Sequence, residues 1–207
     1  MTTDSELIIE EKLNTYSHGL GILLSLIGAY LILKEVNNYL WTSVFIYSAS
    51  LILLFTASTV YHAISNPLRK KNFRIVDHIS IYYLIAGTYT PVCLSLLKDS
   101  KGILLLWLIW GIAAFGTLLK LFFTGKFEVF SLALYGIMGW LVIIDSKYLF
   151  ANATNIQLIY LALGGAFYTI GIFFYTNKKI HFNHFIWHLF VLGGAICHWF
   201  FVYDVVS

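Results

Sequence analysis

Asn183-His184-Phe185-Ile186-Trp187-His188 opens a long apolar run and puts two imidazoles four residues apart. On a helix that spacing sends both rings out of one face. The run is apolar enough to lie in lipid, where a desolvated histidine pair is costly unless something compensates. Ionisable residues inside a membrane therefore mark functional positions by default. A metal ion is the obvious compensation. Two histidines do not fill a tetrahedral zinc site, so this reading requires further ligands elsewhere in the chain.

Composition sets the environment. The 207 residues are 59% hydrophobic and 11% charged, with a mean hydropathy of +0.80. That is outside the range of soluble domains and describes a multi-pass membrane protein. The net charge of +3 is small and its lysines and arginines sit in short segments between apolar runs. Topology accounts for them better than nucleic acid does. Cys93 and Cys197 fall in apolar runs without metal-ligand spacing and read as packing residues. Met1 to Lys12 is polar and acidic, unlike a secretory leader, so the first apolar run is expected to remain in the mature protein.

About 20 apolar residues are needed to cross the hydrocarbon core. Cutting at charged, Asn, Pro and Gly punctuation gives Tyr16–Leu33, Trp41–Ala63, Ile75–Leu97, Ile103–Phe123, Phe130–Phe150, Ile156–Thr176 and His184–Tyr203. The expected fold is an all-α membrane protein, a seven-transmembrane helix bundle in a single domain of residues 1–207, with residues 1–14 as a short cytoplasmic segment. Lys12, Arg69, Lys70, Lys71, Arg74, Lys120, Lys126, Lys178 and Lys179 gather at one end; only Lys34, Lys98, Lys101 and Lys147 lie at the other. Short cytoplasmic loops are enriched in such residues. The N-terminus is therefore expected in the cytoplasm and the C-terminus outside, in the cell inner (plasma) membrane.

This topology tests the metal idea. The seventh span starts on the cytoplasmic side with His184 and His188. The second ends there with Ser58-Thr59-Val60-Tyr61-His62, and the third starts there with Arg74-Ile75-Val76-Asp77-His78. Polar elements from three spans thus meet one depth of the bilayer. His62, His184 and His188 would supply three nitrogens with one open position, the arrangement of catalytic zinc. Asp77 would accept a proton from a bound water, and Ser58 would hydrogen-bond a ligand ring or a substrate carbonyl. Blander readings stand beside these: His62 as interhelical polar glue, Ser58 bonded to its own backbone, and Asp77 paired with Arg74 three residues earlier. Glu11, Asn14 and His18 share one helical face before the first span. They read either as support for the site or as an amphipathic lead-in. Pro91 is expected to kink the third span, and Gly164-Gly165 and Gly193-Gly194 to allow close helix approach.

Glu11-x-x-Asn14-x-x-x-His18, Ser58-x-x-x-His62, Asp77 ahead of Gly87-Thr88-Tyr89-Thr90-Pro91, and His184-x-x-x-His188 together resemble the motifs of the hemolysin III proteins. These are bacterial members of the progestin and adipoQ receptor family, which includes the adiponectin receptors and is related to the alkaline ceramidases. The resemblance extends from Glu11 to His198. It implies a seven-helix bundle, a zinc ion near the inner leaflet held by His62, His184 and His188, and a water-mediated carboxylate at Asp77 with Ser58 nearby. The sequence departs from the adiponectin receptors in lacking a long cytosolic N-terminal region, so a protein-hormone receptor role is not expected.

The leading functional expectation is a zinc-dependent hydrolase of lipid amides or esters, with membrane lipids as partners and substrates. A second is a non-enzymatic sensor or regulator of membrane lipid in which zinc is structural. A third, carried by the family name alone, is a pore or transporter with hemolytic activity.

Overall fold

Helix starts follow from side chains that satisfy otherwise orphaned N–H groups. Asn66 Oδ1 accepts from the N–H groups of Leu68 and Arg69, both at 3.1 Å, and Pro67 fills the first helical position. Helix α3 (Pro67–Leu94) therefore begins there. Thr154 and Gln157 form a reciprocal capping box that opens α7 (Asn155–Thr176). With α1 (Asp4–Glu35), α2 (Trp41–Ala63), α4 (Gly102–Phe123) and α8 (Asn183–Val206) these make six rods. The seventh is composite: α5 (Glu128–Trp140), a 3-10 helix (Leu141–Asp145) and α6 (Ser146–Asn152). The computed structural model describes residues 4–207, and there is no strand among them.

Six of the seven rods are long and apolar enough to cross a membrane. The exception is α3, whose first turns carry Arg69, Lys70, Lys71 and Arg74. It packs against α2, α4, α5 and α8, so Arg74, Asp77 and His78 face neighbours while Arg69 and Lys71 stay exposed. Large apolar side chains are turned outward on every other rod, among them Leu26, Phe45, Phe122, Val129, Phe173 and Leu189. Such continuous apolar exposure suits hydrocarbon as solvent.

The bundle interior is unusually rich in small and polar residues. On α1 the buried face runs Asn14, Ser17, His18, Gly21, Ser25, Gly28 and Ile32, a helical stripe that lets rings approach the backbone. The Phe55 ring occupies the space above Gly21, and the Trp199 indole the space above Gly28. Gly164 and Gly194 likewise receive the His198 and Tyr168 rings across the α7–α8 contact, so close approach here is glycine against an aromatic ring.

Three boundaries differ from the sequence expectation. Helix α1 starts at Asp4, which makes Glu11-to-His18 part of the first rod and not a lead-in ahead of it. Helix α3 starts at Pro67 and runs on through Pro91 to Leu94, leaving helical geometry at Ser95. The fifth span, expected to be continuous over Phe130–Phe150, is broken by the 3-10 helix. The Tyr89 hydroxyl enters this break, donating to Gly139 O at 3.1 Å and accepting from Val142 N at 2.9 Å. Asp145 is drawn toward the α3–α4 turn, where it accepts from Ser100 Oγ at 2.8 Å and Lys101 N at 2.9 Å. Backbone groups freed inside a membrane protein are tolerated where other groups satisfy them.

The α3–α4 turn is closed so tightly that a Cβ on Gly102 would stand 2.2 Å from the Cys93 carbonyl oxygen, a backbone atom. Gly102→Ala is expected to cost about 1–3 kcal/mol, as overpacking does. A lowered thermal midpoint in detergent checks this. Gly111→Ala, where nothing lies within 4 Å, is the control and should leave the midpoint unchanged.

Candidate metal centre

Two adjacent carboxylates near the start of α1 assemble the end of the bundle at which that helix begins. Before α8 the chain turns through Phe182 in the left-handed region, φ 51°, and no local side chain caps the helix. Glu10 supplies the cap from α1: its Oε1 accepts from His184 N at 3.1 Å and Phe185 N at 3.4 Å. A carboxylate there also complements the positive end of the helix dipole. Glu11 Oε2 meets His62 Nδ1 on α2 at 2.8 Å and accepts from Lys70 Nζ on α3 at 2.8 Å. Four helices are thereby tied together at one level.

The result is a cluster of imidazoles. His62, His184 and His188 each present one ring nitrogen so that the three atoms lie within 4.8 Å of one another. Ring centroids are 5.1 Å apart for His62 and His184, and 4.8 Å for each other pair. His62 and His188 are buried and His184 is half-buried. His18 from α1 lies flat against His188, centroids 3.7 Å apart and planes 11° from parallel.

The hydrogen bonding of this cluster is incomplete in a telling way. His62 Nε2, His188 Nδ1, both nitrogens of His18 and Asn14 Oδ1 are buried without a partner. Buried polar groups in proteins are nearly always paired, and a concentration of orphans calls for an ion or bound polar group. Glu11 on the far nitrogen of His62 is the arrangement that orients a ligating histidine and fixes its tautomer. The donor set, imidazole nitrogens with outer carboxylate support, fits zinc.

Asp77 is half-buried on α3, with the Ser58 hydroxyl facing its carboxyl and His62 within electrostatic reach. Among the described residues it forms no ion pair with Arg74, whose guanidinium instead reaches Glu128 Oε1 at 3.2 Å. His78, the residue after Asp77, points away toward Glu128. His181 lies at the surface beside Glu6, and His198 sits apart against Tyr168. Thus the structure brings the three sequence-selected histidines together and sets Ser58 and Asp77 against one another beside them. Sequence reasoning missed Glu10, and it left the role of Glu11 and His18 open. The one signal for Glu10 was its place next to Glu11, ahead of an apolar run at the same end.

A sequence model of the family described as "Haemolysin-III related" matches residues 7–199. The "Hemolysin-3 homolog" of Bacillus subtilis (strain 168) is 42% identical over 197 residues, covering 93% of this chain and 92% of that protein. "Hemolysin-3" of Bacillus cereus is 39% identical over 204 residues, with 97% and 93% covered. The "Monocyte to macrophage differentiation factor" of Homo sapiens is 32% identical over 204 residues, with 92% and 82% covered.

Because Glu10 is the cap that α8 lacks locally, Glu10→Ala is expected to lower stability by about 0.5–2 kcal/mol, the usual loss for a helix cap. Hydrogen exchange localises the effect: the amides of His184 and Phe185 should lose protection while those of α4 keep theirs.

Proposed function

The chain belongs to the haemolysin-III-related family of integral membrane proteins, and from that premise we propose that His62, His184 and His188 hold a zinc ion and that the protein hydrolyses an amide or ester bond of a membrane lipid. The observation that carries this reading is the convergence of three imidazoles, with His62 Nε2 and His188 Nδ1 buried and partnerless, in a bundle whose exterior is apolar. A zinc ion with three nitrogen ligands and an open position supplies a water acidified to a pKa of about 7 and polarises a carbonyl.

The chain's own residues do the rest. Glu11 holds the His62 ring by its Nδ1, leaving Nε2 for the metal. Glu10 fixes the first turn of α8 and with it His184. Asp77 takes the proton of the attacking water, and Ser58 orients the Asp77 carboxyl. The excess of lysine and arginine at this end argues that it faces the cytoplasm and that the N-terminus lies there too. A lipid held by its chains in the inner leaflet of the plasma membrane would then bring its carbonyl to the histidine level.

A second reading is favoured by the way the cluster joins α1, α2 and α8: the zinc acts as a staple in a sensor of membrane lipid. Asp77 separates the two. Purified wild type should contain zinc, and His62→Ala and His188→Ala should lose it. Asp77→Ala should keep its zinc yet release no fatty acid from a panel of lipid amides and esters. If wild type itself releases none while chelation sharply lowers the thermal midpoint, the staple reading replaces the hydrolase. Glu11→Gln is expected to weaken zinc affinity about 10–100-fold, the loss typical of an outer-shell partner, measured by competition with a chelating dye.

A further inference from the structure

On a different face of α3 from Asp77 lies a second polar cluster that the metal centre does not use. Successive residues on a helix point about 100° apart, so His78 turns away from the histidine cluster and toward α4 and α5. There Glu128 accepts from Lys120 Nζ at 2.9 Å, Arg74 Nη2 at 3.2 Å and Gly125 N at 3.1 Å, with His78 Nδ1 at 3.8 Å. One turn deeper the layers repeat: Tyr82 follows His78, Ser131 follows Glu128 with Tyr135 a further turn on, and Gly116 precedes Lys120. The absent side chain of Gly116 makes room for the Tyr82 phenol, 2.3 Å from where a Cβ would stand. The Tyr82 and Tyr135 rings pack at 4.4 Å, and Tyr135 Oη donates to His78 O at 2.8 Å.

An ion-pair staple alone does not account for this corner. The Tyr82 and Ser131 hydroxyls face one another but are buried with no hydrogen bond of good geometry, His78 Nδ1 has only the 3.8 Å contact with Glu128, and Lys120 is only 1% exposed. Lys71, one turn before Arg74, and Lys126 in the α4–α5 turn are exposed, with no ion-pair partner among the described residues. Four cations, Lys71, Arg74, Lys120 and Lys126, thus stand against two carboxylates, Glu128 and Asp77, and the Asp77 carboxyl is directed to Ser58. The corner offers hydroxyl, ammonium, guanidinium and backbone donors in excess of acceptors, a chemistry made for a multi-oxygen anion. Its rim is apolar and exposed: Phe122, Phe127 and Val129 border it. An anionic head beside apolar surface describes an amphiphile.

We propose that the α3–α4–α5 corner, built from Arg74, Lys120, Tyr82 and Ser131 around Glu128, is a binding site for the phosphate headgroup of an anionic phospholipid. Glu128 is the resident carboxylate that organises the donors and limits how tightly the phosphate is held. The site goes beyond the hydrolase reading and does not depend on zinc.

The test uses the full chain in detergent, with phosphatidylglycerol, phosphatidylcholine and inorganic phosphate as separate additions. Thermal midpoint and native mass spectrometry are the readouts. Phosphatidylglycerol should raise the midpoint and stay bound, while phosphatidylcholine does neither. Lys120→Met and Arg74→Gln should each weaken retention about fivefold, from about 1 kcal/mol for each basic residue near an anionic lipid. Ser131→Ala carries the test if Lys120→Met does not fold. Glu128→Gln should strengthen retention, a sign that a merely structural ion pair would not give. Lys179→Gln, at the same end but outside the corner, should leave it unchanged, and zinc content should be the same in all variants. Equal response to both lipids, or a loss in Lys179→Gln as large as in Lys120→Met, overturns the proposal. Inorganic phosphate reproducing the whole shift would make the ligand a free anion and overturn the lipid assignment.

Discussion

The contacts made by Glu10 and Glu11 are the interaction on which the rest of this molecule depends. One carboxylate caps α8 and its neighbour grips His62 and Lys70, so a single turn of α1 is bonded to α2, α3 and α8 at once. Neighbouring residues on a helix diverge by about 100°, which lets adjacent side chains serve different partners. With that turn in place the imidazoles of three helices converge, and their unpartnered nitrogens become a site. Without it, α8 would begin at an uncapped left-handed turn and His62 would carry two unsatisfied nitrogens in a low-dielectric interior.

Helix α3 shows how a rod too polar for lipid is kept inside a membrane bundle. Its first turns are basic and its middle carries Asp77, His78 and Tyr82, yet neighbours on several sides supply partners for Lys70, Arg74 and Asp77. Asp77 faces the histidines and His78 faces Glu128, so one helix contributes to two polar clusters of different chemistry. One cluster is rich in imidazole nitrogens, the other in cations and hydroxyls.

Much of the architecture was legible in the sequence because hydrocarbon imposes long apolar runs with charged interruptions, and the rods fall where those runs fall. The convergence of His62, His184 and His188 was legible for a similar reason: spacing on a helix and depth along it are both sequence properties. What was not legible depends on the relative rotation and slide of rods. The flat contact of His18 on His188 requires α1 to sit at the height set by Phe55 over Gly21, which no periodicity encodes. The cap from Glu10 depends on the path of the chain through Phe182. Lys120 looked like one more charge marking an interface, and its burial beside Glu128 emerges only when α4 and α5 are placed side by side. The break in the fifth rod also escaped, since an apolar run looks the same whether its backbone closes with α or 3-10 bonds.

That break gives the rod a particular mechanical character. Because the Tyr89 phenol holds the carbonyl of Gly139 and the amide of Val142, two peptide groups at the joint are tethered to α3 from the side. Swivelling α5 against α6 about this point strips no further peptide group bare to hydrocarbon, whereas bending an intact helix elsewhere would. Compliance in the fifth rod is therefore concentrated at one articulated vertebra, pinned by a single hydroxyl, between a segment held through Glu128 and one anchored through Asp145.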